Sequence, residues 1–561
     1  MQKIVKYSKA ASSFVDSLGV ESKGIHRYLP NERYPENSWK AYISTLGLWI
    51  SGCGGLTSMS SFFLGPLLFG LGYKDTIICG IFGLLLGCLV AAYCATMGPR
   101  SGLRQMCGAR YLFGPWMVRF VSLITIIGFL GWSITNSVLG GEILKWLSGG
   151  KLNLTVGIVI VSIVSLVVAL FGIEYVLKFE GVIGCLVLLV VFLLYIIADN
   201  KYPHFEHLQT VADNAITKVG NRISFFTLSY SVTATWGGCA ADYYVIFPET
   251  IPQVSLFVYT FFAISIPTIF GAIIGMLIGN AAVGDALWSE AYAERSLGGL
   301  LNLVFDRWGN FGKFLIVLLW LSLITNNIIN NYSSALAVQL LDDWAYRHLS
   351  RWFIVIIIFA ITLICSLVGK NHFSEILSNF LPMLGYWISI YFTLLLEENV
   401  IFRSTSLVKL FKKELYESPG GRSPADVEMG STSTDSQTEE KKDNYDYTVT
   451  FGSNSLQTSP ISASAPSTST IPPFATVKSI PYYNFDAWND KYILTHGIAA
   501  TFAFCCGVAG AIVGMNQAYY VGPIAKLVGD HAADLGMFFC IGFTGVAYPL
   551  ARWLELRYFE K

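Results

Sequence analysis

Polar side chains recur inside apolar stretches of this sequence, and their types suit a flat, polar ring. Trp132 and Asn136 are four residues apart in "GWSITNS" and therefore share one face of a helix. An indole offers a stacking surface, and an amide both donates and accepts hydrogen bonds. A second stretch, "LITNNIINNYSS", carries Asn326 and Asn330 at the same spacing. We expect these side chains to line a site for a small planar solute; bonding between helices is the alternative for the asparagines.

Glycines interrupt two of the apolar stretches near their centres, the first at about Ile43–Gly70 and the sixth at about Ile223–Phe247. Such residues are tolerated in a spanning helix only where freed backbone groups find partners or line a cavity. Interruptions at matching positions in two halves are typical of transporters built from inverted repeats, whereas close helix packing is the alternative. We predict two discontinuous helices whose exposed amides and carbonyls face a solute. The glycines expected at the breaks are Gly52, Gly54, Gly55, Gly237 and Gly238.

The composition places these stretches in a membrane. Hydrophobic residues make up 53% of the 561 residues and charged residues only 13%, whereas soluble domains are about 25% charged. The apolar residues form about twelve runs of roughly twenty, long enough for helices that cross the hydrocarbon core. We predict an all-α polytopic membrane protein with about twelve transmembrane helices. The formal net charge of +0 gives no indication of a nucleic-acid partner, so the lipid bilayer is the expected surroundings.

Arginine and lysine are densest in the even-numbered connections, as in "GPRSGLRQMCGARYLFGPWMVR". Because such residues mark the cytosolic side, both termini are expected in the cytosol. We predict a cytosolic tail at 1–40, spans one to ten in 41–398, a disordered cytosolic loop at 399–485, two further spans in 486–556 and a cytosolic end at 557–561. The loop is rich in Ser, Thr, Pro and charge and cannot bury enough apolar area to fold.

Motifs for catalysis, metal binding and nucleotide binding are absent from the sequence. It contains no GxSxG, HExxH, P-loop or CxxC pattern, and its cysteines fall in or beside apolar runs, where they are interpreted as packing residues. We therefore predict that the protein is not an enzyme, holds no metal or organic cofactor, and is not driven by ATP. The residues give no indication of the oligomeric state.

Five stretches resemble the fungal branch of the nucleobase–cation symport family, the purine–cytosine permeases and their relatives. They are "LGPLLFGLG", "MGPRSGLRQM", "GWSITNS", "ATWGGCAADYYVIFP" and "NNIINNYSSA". The resemblance covers about Gly24–Asn399 and Tyr492–Lys561. It implies two inverted five-helix repeats plus two additional helices, the architecture of leucine-type transporters. It also implies that Trp132 and Trp236 sandwich the ring of the substrate, while Asn136 bonds its polar edge.

The resemblance further assigns Asn330 to the polar edge of the substrate, and Cys53 and Thr57 to the first-span wall. Cytosine carriers of the family typically have an asparagine near Cys53, so its absence favours another planar heterocycle. The stretches "GGLTSMSSFFLGPLLFG" and "GKNHFSEILSNFLPMLGYWISIYF" resemble members that carry vitamin B6. We expect an importer of pyridoxine and related vitamers in the plasma membrane. A purine/cytosine permease is the alternative within the family, and a receptor or channel the alternative outside it.

Coupling to protons is expected from the same resemblance. Sodium-coupled relatives use neighbouring hydroxyls in the eighth span, where this chain has Ile324 and Thr325, so one hydroxyl is missing and sodium is less favoured. A proton carrier needs an ionisable group whose exposure changes between states. The candidates are Glu180, which opens the fifth span, and Asp242, a turn beyond the sixth-span break. For each, a carboxylate that extends to the cytosolic interface is the alternative.

Overall fold

A computed structural model describes residues 24–412 and 483–561, apart from residues 37, 172, 205–207 and 213. The described residues are mostly helical. The α-helices are α1 (Trp39–Cys53), α2 (Leu56–Phe62), α3 (Leu64–Leu67), α4 (Tyr73–Ala95), α5 (Met97–Ser101), α6 (Gln105–Gly108), α7 (Arg110–Leu147), α8 (Leu154–Ala169), α9 (Ile173–Ile197), α10 (Ala215–Ala234), α11 (Gln253–Gly284), α12 (Ala286–Asp306), α13 (Gly309–Val338), α14 (Asp343–His348), α15 (Arg351–Gly369), α16 (Phe373–Glu397), α17 (Ile498–Gly514) and α18 (Gly536–Phe559). The 3₁₀ turns are Pro30–Glu32, Asp199–His204, Thr235–Gly238, Ala240–Tyr243, Ser406–Leu410 and Ala525–Leu527. One π-helical turn, Glu398–Phe402, follows α16. An antiparallel hairpin pairs β1 (Asn516–Gln517) with β2 (Tyr520–Val521).

Most of the long helices can cross a membrane. Among the described residues, 8 helical segments are long and apolar enough to do so, and α8 and α17 are shorter apolar helices. The first predicted span is missing from this set because its break leaves α1 only 15 residues long. The sixth is missing because α10, although 20 residues long, is more polar. The architecture is all-α, as predicted, whereas the total of about twelve spans stays a prediction.

The helix packing repeats itself five spans further along the chain. Helix α1 packs along α9 as α10 packs along α16, and α7 packs on α8 as α13 packs on α15. In the same way, α4 contacts α10 while α11 contacts α1 and α2. Because α1 to α9 form the first five predicted spans and α10 to α16 the next five, this pattern indicates two related repeats. They meet where α7 packs against α13.

The first span breaks at Gly54 and Gly55, between α1 and α2. Both positions exclude larger residues: a Cβ on Gly55 would lie 2.2 Å from the Cβ of Ser322, and one on Gly54 would lie 2.7 Å from a carbonyl oxygen of its own helix. Gly52, also predicted at the break, instead lies in the last turn of α1. A Cβ there would be 2.9 Å from Ile329, so Gly52 serves close packing of α1 on α13.

Side chains of α13 bind backbone groups at this break. The Leu56 N–H donates to the hydroxyl of Ser322 at 2.9 Å, and the Asn326 amide donates to the Gly52 carbonyl at 3.0 Å. The expectation that the freed amides and carbonyls face a solute is therefore wrong for these two groups. An unpaired backbone group in a membrane costs several kcal/mol, and polar residues of the neighbouring helix supply the partners.

The sixth span is interrupted after α10, where the 3₁₀ turns Thr235–Gly238 and Ala240–Tyr243 replace the α-helix. Both glycines predicted at this break lie in the first of these turns. The N–H of Ala241 donates to the side-chain oxygen of Gln105 at 2.9 Å. The connection between the second and third spans therefore supplies a partner for the sixth break, as α13 does for the first.

No helix is predicted between the seventh and eighth spans, yet α12 occupies this connection. Buried Leu297, Leu300, Leu301 and Val304 give it one apolar face, a helical spacing within a stretch that otherwise reads as polar. A kink at Ser296, where φ is 52°, divides the helix. Helix α12 packs on α7, α11 and α13.

Residues 413–482 of the predicted cytosolic loop lie outside the described residues. The flanks of that loop pack on the bundle: Asn399 and Phe402 are buried, and the hydroxyl of Tyr483 donates to the Asn399 side chain at 2.8 Å. The guanidinium carbon of Arg403 lies 3.9 Å from the centroid of the Tyr483 ring. The packed region therefore extends further into the predicted loop than its composition indicates, because aromatic and cationic side chains there find partners.

A buried ion cluster attaches α18 to the end of α16. Glu398, which has no exposed surface, accepts hydrogen bonds from Arg403 at 2.8 Å and from Arg552 at 3.0 and 3.1 Å. The hydroxyl of Tyr548 also donates to this carboxylate, at 2.9 Å. Each charge is thus paired and hydrogen-bonded, which buried ions require.

Replacing Arg552 with methionine should destabilise the protein by about 3–5 kcal/mol, because Glu398 loses a buried partner. Thermal unfolding of the purified protein, followed by tryptophan fluorescence, measures the change. Lys412→Met is the matched control: Lys412 pairs with Glu560 at 3.0 Å, but both side chains are about half exposed, so we expect at most about 1 kcal/mol. Equal effects of the two substitutions would contradict the role of the cluster.

Candidate functional site

A small cavity of about 20 Å³, room for about one water molecule, lies between the two interrupted spans, α7 and α13. Small-molecule sites occupy roughly 300–1,000 Å³, so the walls of this cavity must move apart before a planar ring fits between them. The walls combine aromatic rings with hydroxyl and amide groups, and none of the described residues that form them is charged. The lining residues are Thr57, Ser58, Phe129, Trp132, Val232, Thr235, Trp236, Asn326 and Asn330.

Two indoles, Trp132 of α7 and Trp236 of the sixth-span break, line this cavity, and each is 8% exposed. The ring of Trp49 on α1 meets Trp236 edge-on, with centroids 5.4 Å apart and planes at 85°. The indole N–H of Trp49 donates to the hydroxyl of Tyr244 at 2.9 Å, which fixes that ring in turn. Phe129, three residues before Trp132, was missed, although this helical spacing places it on the same face.

Asn136 lies behind the cavity wall and organises it. Its side-chain oxygen accepts from the hydroxyl of Thr57 at 2.9 Å. Its NH₂ group donates to the side-chain oxygens of Asn326 at 2.9 Å and Asn327 at 3.0 Å. These contacts join α2, α7 and α13, so Asn136 positions cavity residues and is not itself among the lining residues. Bonding between helices, the alternative for the asparagines, thus accounts for much of this cluster.

Asn326 and Asn330 both line the cavity and hydrogen-bond each other. The NH₂ group of Asn330 donates to the side-chain oxygen of Asn326 at 2.9 Å. Asn326 is held from the other side, because its own NH₂ group bonds the first-span break. The geometry presents the pair to the cavity in a fixed orientation, with Asn326 as the more strongly anchored member.

Replacing Asn330 with alanine should weaken ligand binding by about 1–3 kcal/mol, the cost of losing a buried hydrogen bond. Equilibrium binding to the purified protein measures this change. The matched control is Asn331→Ala: Asn331 is also buried on α13, but it does not line the cavity. If Asn330→Ala bound ligand as tightly as Asn331→Ala, the amide of Asn330 would have a structural role only.

The first-span wall consists of Thr57 and Ser58 of α2. Cys53, assigned to this wall, does not line the cavity, because it ends α1 on the far side of the break and is completely buried. Its thiol faces Thr268 of α11 instead. The break changes the helix direction after Cys53, and the regular spacing that would have placed it beside Thr57 does not hold.

Glu180 of α9 is completely buried beside the first-span break. One carboxylate oxygen accepts a hydrogen bond from the hydroxyl of Ser51, and the other has no hydrogen-bond partner among the described residues. The adjacent residue, Gly181, packs so closely on Gly47 that a Cβ on Gly47 would lie 2.5 Å from the Cα of Gly181. Glu180 is therefore an incompletely satisfied carboxylate where α1 contacts α9.

Asp242, the other candidate carboxylate, has a structural environment. Its side chain accepts from the N–H of Gln105 at 2.7 Å, and its backbone carbonyl accepts from Arg104 at 2.6 Å. Arg104 also donates to the hydroxyl of Tyr332 on α13, at 3.0 Å. Asp242 thus ties the sixth-span break to the connection before α7, and neither carboxylate lines the cavity.

A larger groove, of about 1180 Å³, lies on the outside of the bundle between α1, α9 and α11. Its walls are almost wholly apolar, and lining residues such as Leu189, Phe192 and Ile266 are more than half exposed. This surface suits acyl chains and offers little to orient the polar edge of a heterocycle. The cavity between the interrupted spans is therefore the candidate site.

Residues 34–403 match a family described as permeases for cytosine/purines, uracil, thiamine and allantoin. The chain is 45% identical over 562 residues to the vitamin B6 transporter TPN1 of Saccharomyces cerevisiae, covering 100% of this chain and 92% of that protein. It is 26% identical over 571 residues to the purine-cytosine permease FCY2 of the same yeast, covering 100% and 92%.

Among solved structures, the chain is similar to Mhp1, a nucleobase-cation-symport-1 family transporter, in a closed conformation with bromovinylhydantoin bound. The TM-score is 0.54 at 14% identity, covering 72% of this chain and 84% of that chain. The inward-facing conformation of Mhp1 matches with a TM-score of 0.50 at 15% identity, covering 67% and 80%. These similarities confirm the predicted fold, that of the leucine-type transporters.

Proposed function

The chain belongs to the family of permeases for cytosine/purines, uracil, thiamine and allantoin, and we propose that it imports vitamin B6 by proton symport. The whole-chain identity of 45% to a yeast vitamin B6 transporter supports pyridoxine and related vitamers as substrates. The observation that carries this proposal is the uncharged, aromatic cavity between the interrupted spans. Substrate sites of such transporters lie where the two repeats meet.

The cavity matches the chemistry of pyridoxine, a flat pyridine ring that carries one hydroxyl and two hydroxymethyl groups. Trp132 and Trp236 supply indole faces for stacking, which favours planar rings over flexible solutes. The hydroxyl of Thr57 donates its proton to Asn136 and can therefore accept from the ring edge. The oxygen of Asn326 already accepts two hydrogen bonds, so its second N–H can donate, whereas the amide of Asn330 can both donate and accept. A neutral ring needs no counter-charge, in keeping with the uncharged lining.

Alternating access follows from the position of the two indoles. Trp132 belongs to the first repeat and Trp236 to the second, so a ring held between them draws the repeats together. Release requires the interrupted spans to move relative to α7 and α13. The close contact of Gly47 with Gly181 lets α1 shift against α9 without large side chains in the way. Loading the cavity and moving α1 are thereby coupled.

Glu180 is the proposed proton carrier. It lies at the moving contact between α1 and α9, and only one of its carboxylate oxygens is bonded among the described residues. Proton binding neutralises a charge that is costly inside a membrane, so the protonated and ionised forms favour different arrangements around α1. Asp242 remains a second candidate, with a smaller role because its carboxylate caps backbone at the sixth-span break.

A purine/cytosine permease is the second candidate function. The amides of Asn326 and Asn330 can pair with the edge of a nucleobase as well as with pyridoxine, and the chain is 26% identical to a purine-cytosine permease. The hydroxyls of Thr57 and Ser58 on the first-span wall favour the hydroxymethyl groups of pyridoxine. We propose that the protein resides in the plasma membrane, and the arginine-rich connections support an orientation with both termini in the cytosol.

Uptake of labelled pyridoxine into yeast cells that lack their own vitamin B6 and nucleobase carriers tests the proposal. Unlabelled pyridoxine, cytosine and adenine are compared as competitors in the same cells. We expect saturable uptake that rises with external acidity and is blocked by pyridoxine but not by the two bases. Stronger competition by cytosine or adenine would favour the second candidate, and uptake no greater than in vector-only cells would overturn both.

A further inference from the structure

Residues 483–491, which we call the strap, lie just before α17 and are bound to the start of α7. The hydroxyl of Tyr111 donates to the carbonyl of Asn484 at 2.7 Å. Arg110 donates to the side-chain oxygen of Asn489 at 2.5 Å. Both contacts are made by the first turn of α7, so the strap is attached to a helix of the first repeat that lines the cavity.

The N-terminal segment, residues 24–36, is bound to the interrupted spans. It continues into α1, and the N–H of Tyr34 donates to the carbonyl of Ile246, near the end of the sixth span, at 2.8 Å. At its other end, the N–H of Ile25 donates to the side chain of Gln339, the residue that follows α13, at 2.9 Å. The N-terminal segment therefore connects both interrupted spans to α13.

Arg27 joins the N-terminal segment to the strap. Its guanidinium pairs with the carboxylate of Asp486, and its central carbon lies 5.9 Å from the ring centroid of Phe485. Its Nε–H donates to the carbonyl of Ser101 at 3.0 Å, in the connection before α7. The side chain of Asp486 is 73% exposed. An ion pair so open to water is weak, and it can therefore break and form repeatedly.

The packed strap leaves Arg100 incompletely satisfied. Only 8% of Arg100 is exposed, and its Nε and Nη2 atoms have no hydrogen-bond partner among the described residues. The ring centroids of Tyr483 and Phe485, both in the strap, lie 5.3 and 5.9 Å from its guanidinium carbon. These rings offset part of the lost hydration, but buried donors without acceptors cost free energy that water returns when the strap lifts. The packed arrangement is thus poised to open.

We propose that the ion pair of Arg27 with Asp486 is a latch that closes the cytosolic side of the transporter and opens in each transport cycle. The arginine-rich connections beside both segments support the cytosolic location. While the latch is closed, the strap on α7 and the N-terminal segment on the interrupted spans are held together. Release of the substrate requires these spans to move relative to α7 and α13, so the latch must open first. The inference rests on the proposed function only in that pyridoxine is the solute measured.

A series at Asp486 tests the latch without touching the cavity. Asp486→Asn removes the charge, Asp486→Lys places a repelling charge beside Arg27, and Asp486→Glu keeps the pair. Asp490→Asn is the matched control in the same strap. Asp490 is exposed and accepts from the N–H of Tyr492 at 2.8 Å, a hydrogen bond that asparagine can also accept.

Three quantities are measured for each variant. Hydrogen exchange of the purified protein, read by mass spectrometry, follows the amides of Tyr28 and Tyr34, which bind the carbonyls of Gly102 at 2.9 Å and Ile246 at 2.8 Å. Uptake of labelled pyridoxine into cells gives the external half-saturation concentration at matched surface amounts. Equilibrium binding to the purified protein, which ligand reaches from both sides, gives the affinity of the cavity itself.

We expect the two amides to exchange about 3- to 5-fold faster in Asp486→Asn, because the N-terminal segment is released more often. The external half-saturation concentration should rise about 3-fold, since fewer molecules are closed on the cytosolic side and ready for external substrate. Both effects should reach about 10-fold in Asp486→Lys. Asp486→Glu and Asp490→Asn should behave as the parent does, and equilibrium binding should change by less than about 2-fold throughout.

Unchanged amide exchange in both Asp486→Asn and Asp486→Lys would overturn the latch and leave the proposed function intact. Equal effects of Asp490→Asn and Asp486→Asn, or a loss of equilibrium binding in parallel with the loss of external affinity, would do the same. If the parent carries cytosine or adenine in place of pyridoxine, only the proposed function fails, and the comparison is made with that base. With no transported ring at all, both proposals fail.

Discussion

Replacing Trp132 with alanine should abolish uptake and weaken substrate binding by about 10- to 100-fold. The indole lines the first cavity on the α7 side, opposite the interrupted sixth span, and only 8% of Trp132 is exposed. Removing it takes away both the stacking surface and most of the buried ring contact. The hydrogen-bonding groups of Asn326 and Asn330 remain, but they would act on a ring that is free to tilt.

Trp132→Phe and Trp344→Ala make this prediction specific. Phenylalanine keeps a smaller aromatic face, so Trp132→Phe should retain part of the affinity. Trp344 on α14 is 55% exposed and lies outside the cavity, so Trp344→Ala should behave as the parent does. Binding to purified protein, uptake and surface amount are measured together. Unchanged affinity in Trp132→Ala, with normal surface amount, would remove the stacking role.

Replacing Glu180 with glutamine should abolish accumulation against a gradient while substrate binding and exchange persist. Glutamine has nearly the same shape and can still accept from the hydroxyl of Ser51, but it cannot take up or release a proton. Because Glu180 does not line the cavity, the substrate site should be intact. The expected variant is a carrier that equilibrates its substrate and no longer responds to external acidity.

Two measurements check the Glu180 prediction: uptake of labelled pyridoxine across an imposed pH gradient, and exchange with preloaded substrate in reconstituted vesicles. Glu375→Gln is the matched control, because the side chain of Glu375 on α16 is 75% exposed. It should accumulate substrate as the parent does. Concentrative uptake by Glu180→Gln would contradict the assignment and direct attention to Asp242.

The broad architecture and the two interruptions could be predicted because apolar run length and glycine pairs act locally. A run of about twenty apolar residues has few stable alternatives to a spanning helix. At Gly54 and Gly55, neighbouring atoms occupy the space where a Cβ would lie. Only glycine fits at these two positions, so the glycine pair in the sequence identifies where the helix breaks. The two repeats could also be predicted, because the first span of each five-span half, spans one and six, is interrupted near its centre.

The orientation of single residues at the break could not be predicted from spacing. Cys53 and Thr57 are four residues apart and would share a face of an unbroken helix, yet the non-helical residues between them turn Cys53 toward α11. Helical periodicity fails where the helix ends, and only tertiary contacts decide which residue reaches the cavity.

The asparagines of α13 show a related limit. Their spacing identifies a polar face but not its partners, and the structure divides that face between ligand cavity and helix packing. Asn327 bonds Asn136 and does not line the cavity, Asn326 bonds Asn136 and also lines it, and Asn330 lines it as well. Buried amides need partners whether or not a ligand is present, so both uses leave the same pattern in the sequence.

The most direct test of the central claim is an experimental structure of the protein with pyridoxine bound. We expect the pyridine ring between Trp132 and Trp236, with aromatic centroids about 4.5–7 Å apart. The amides of Asn326 and Asn330 should face its polar edge. Pyridoxine bound in the outer apolar groove between α1, α9 and α11, with the space between the two indoles empty, would contradict the account.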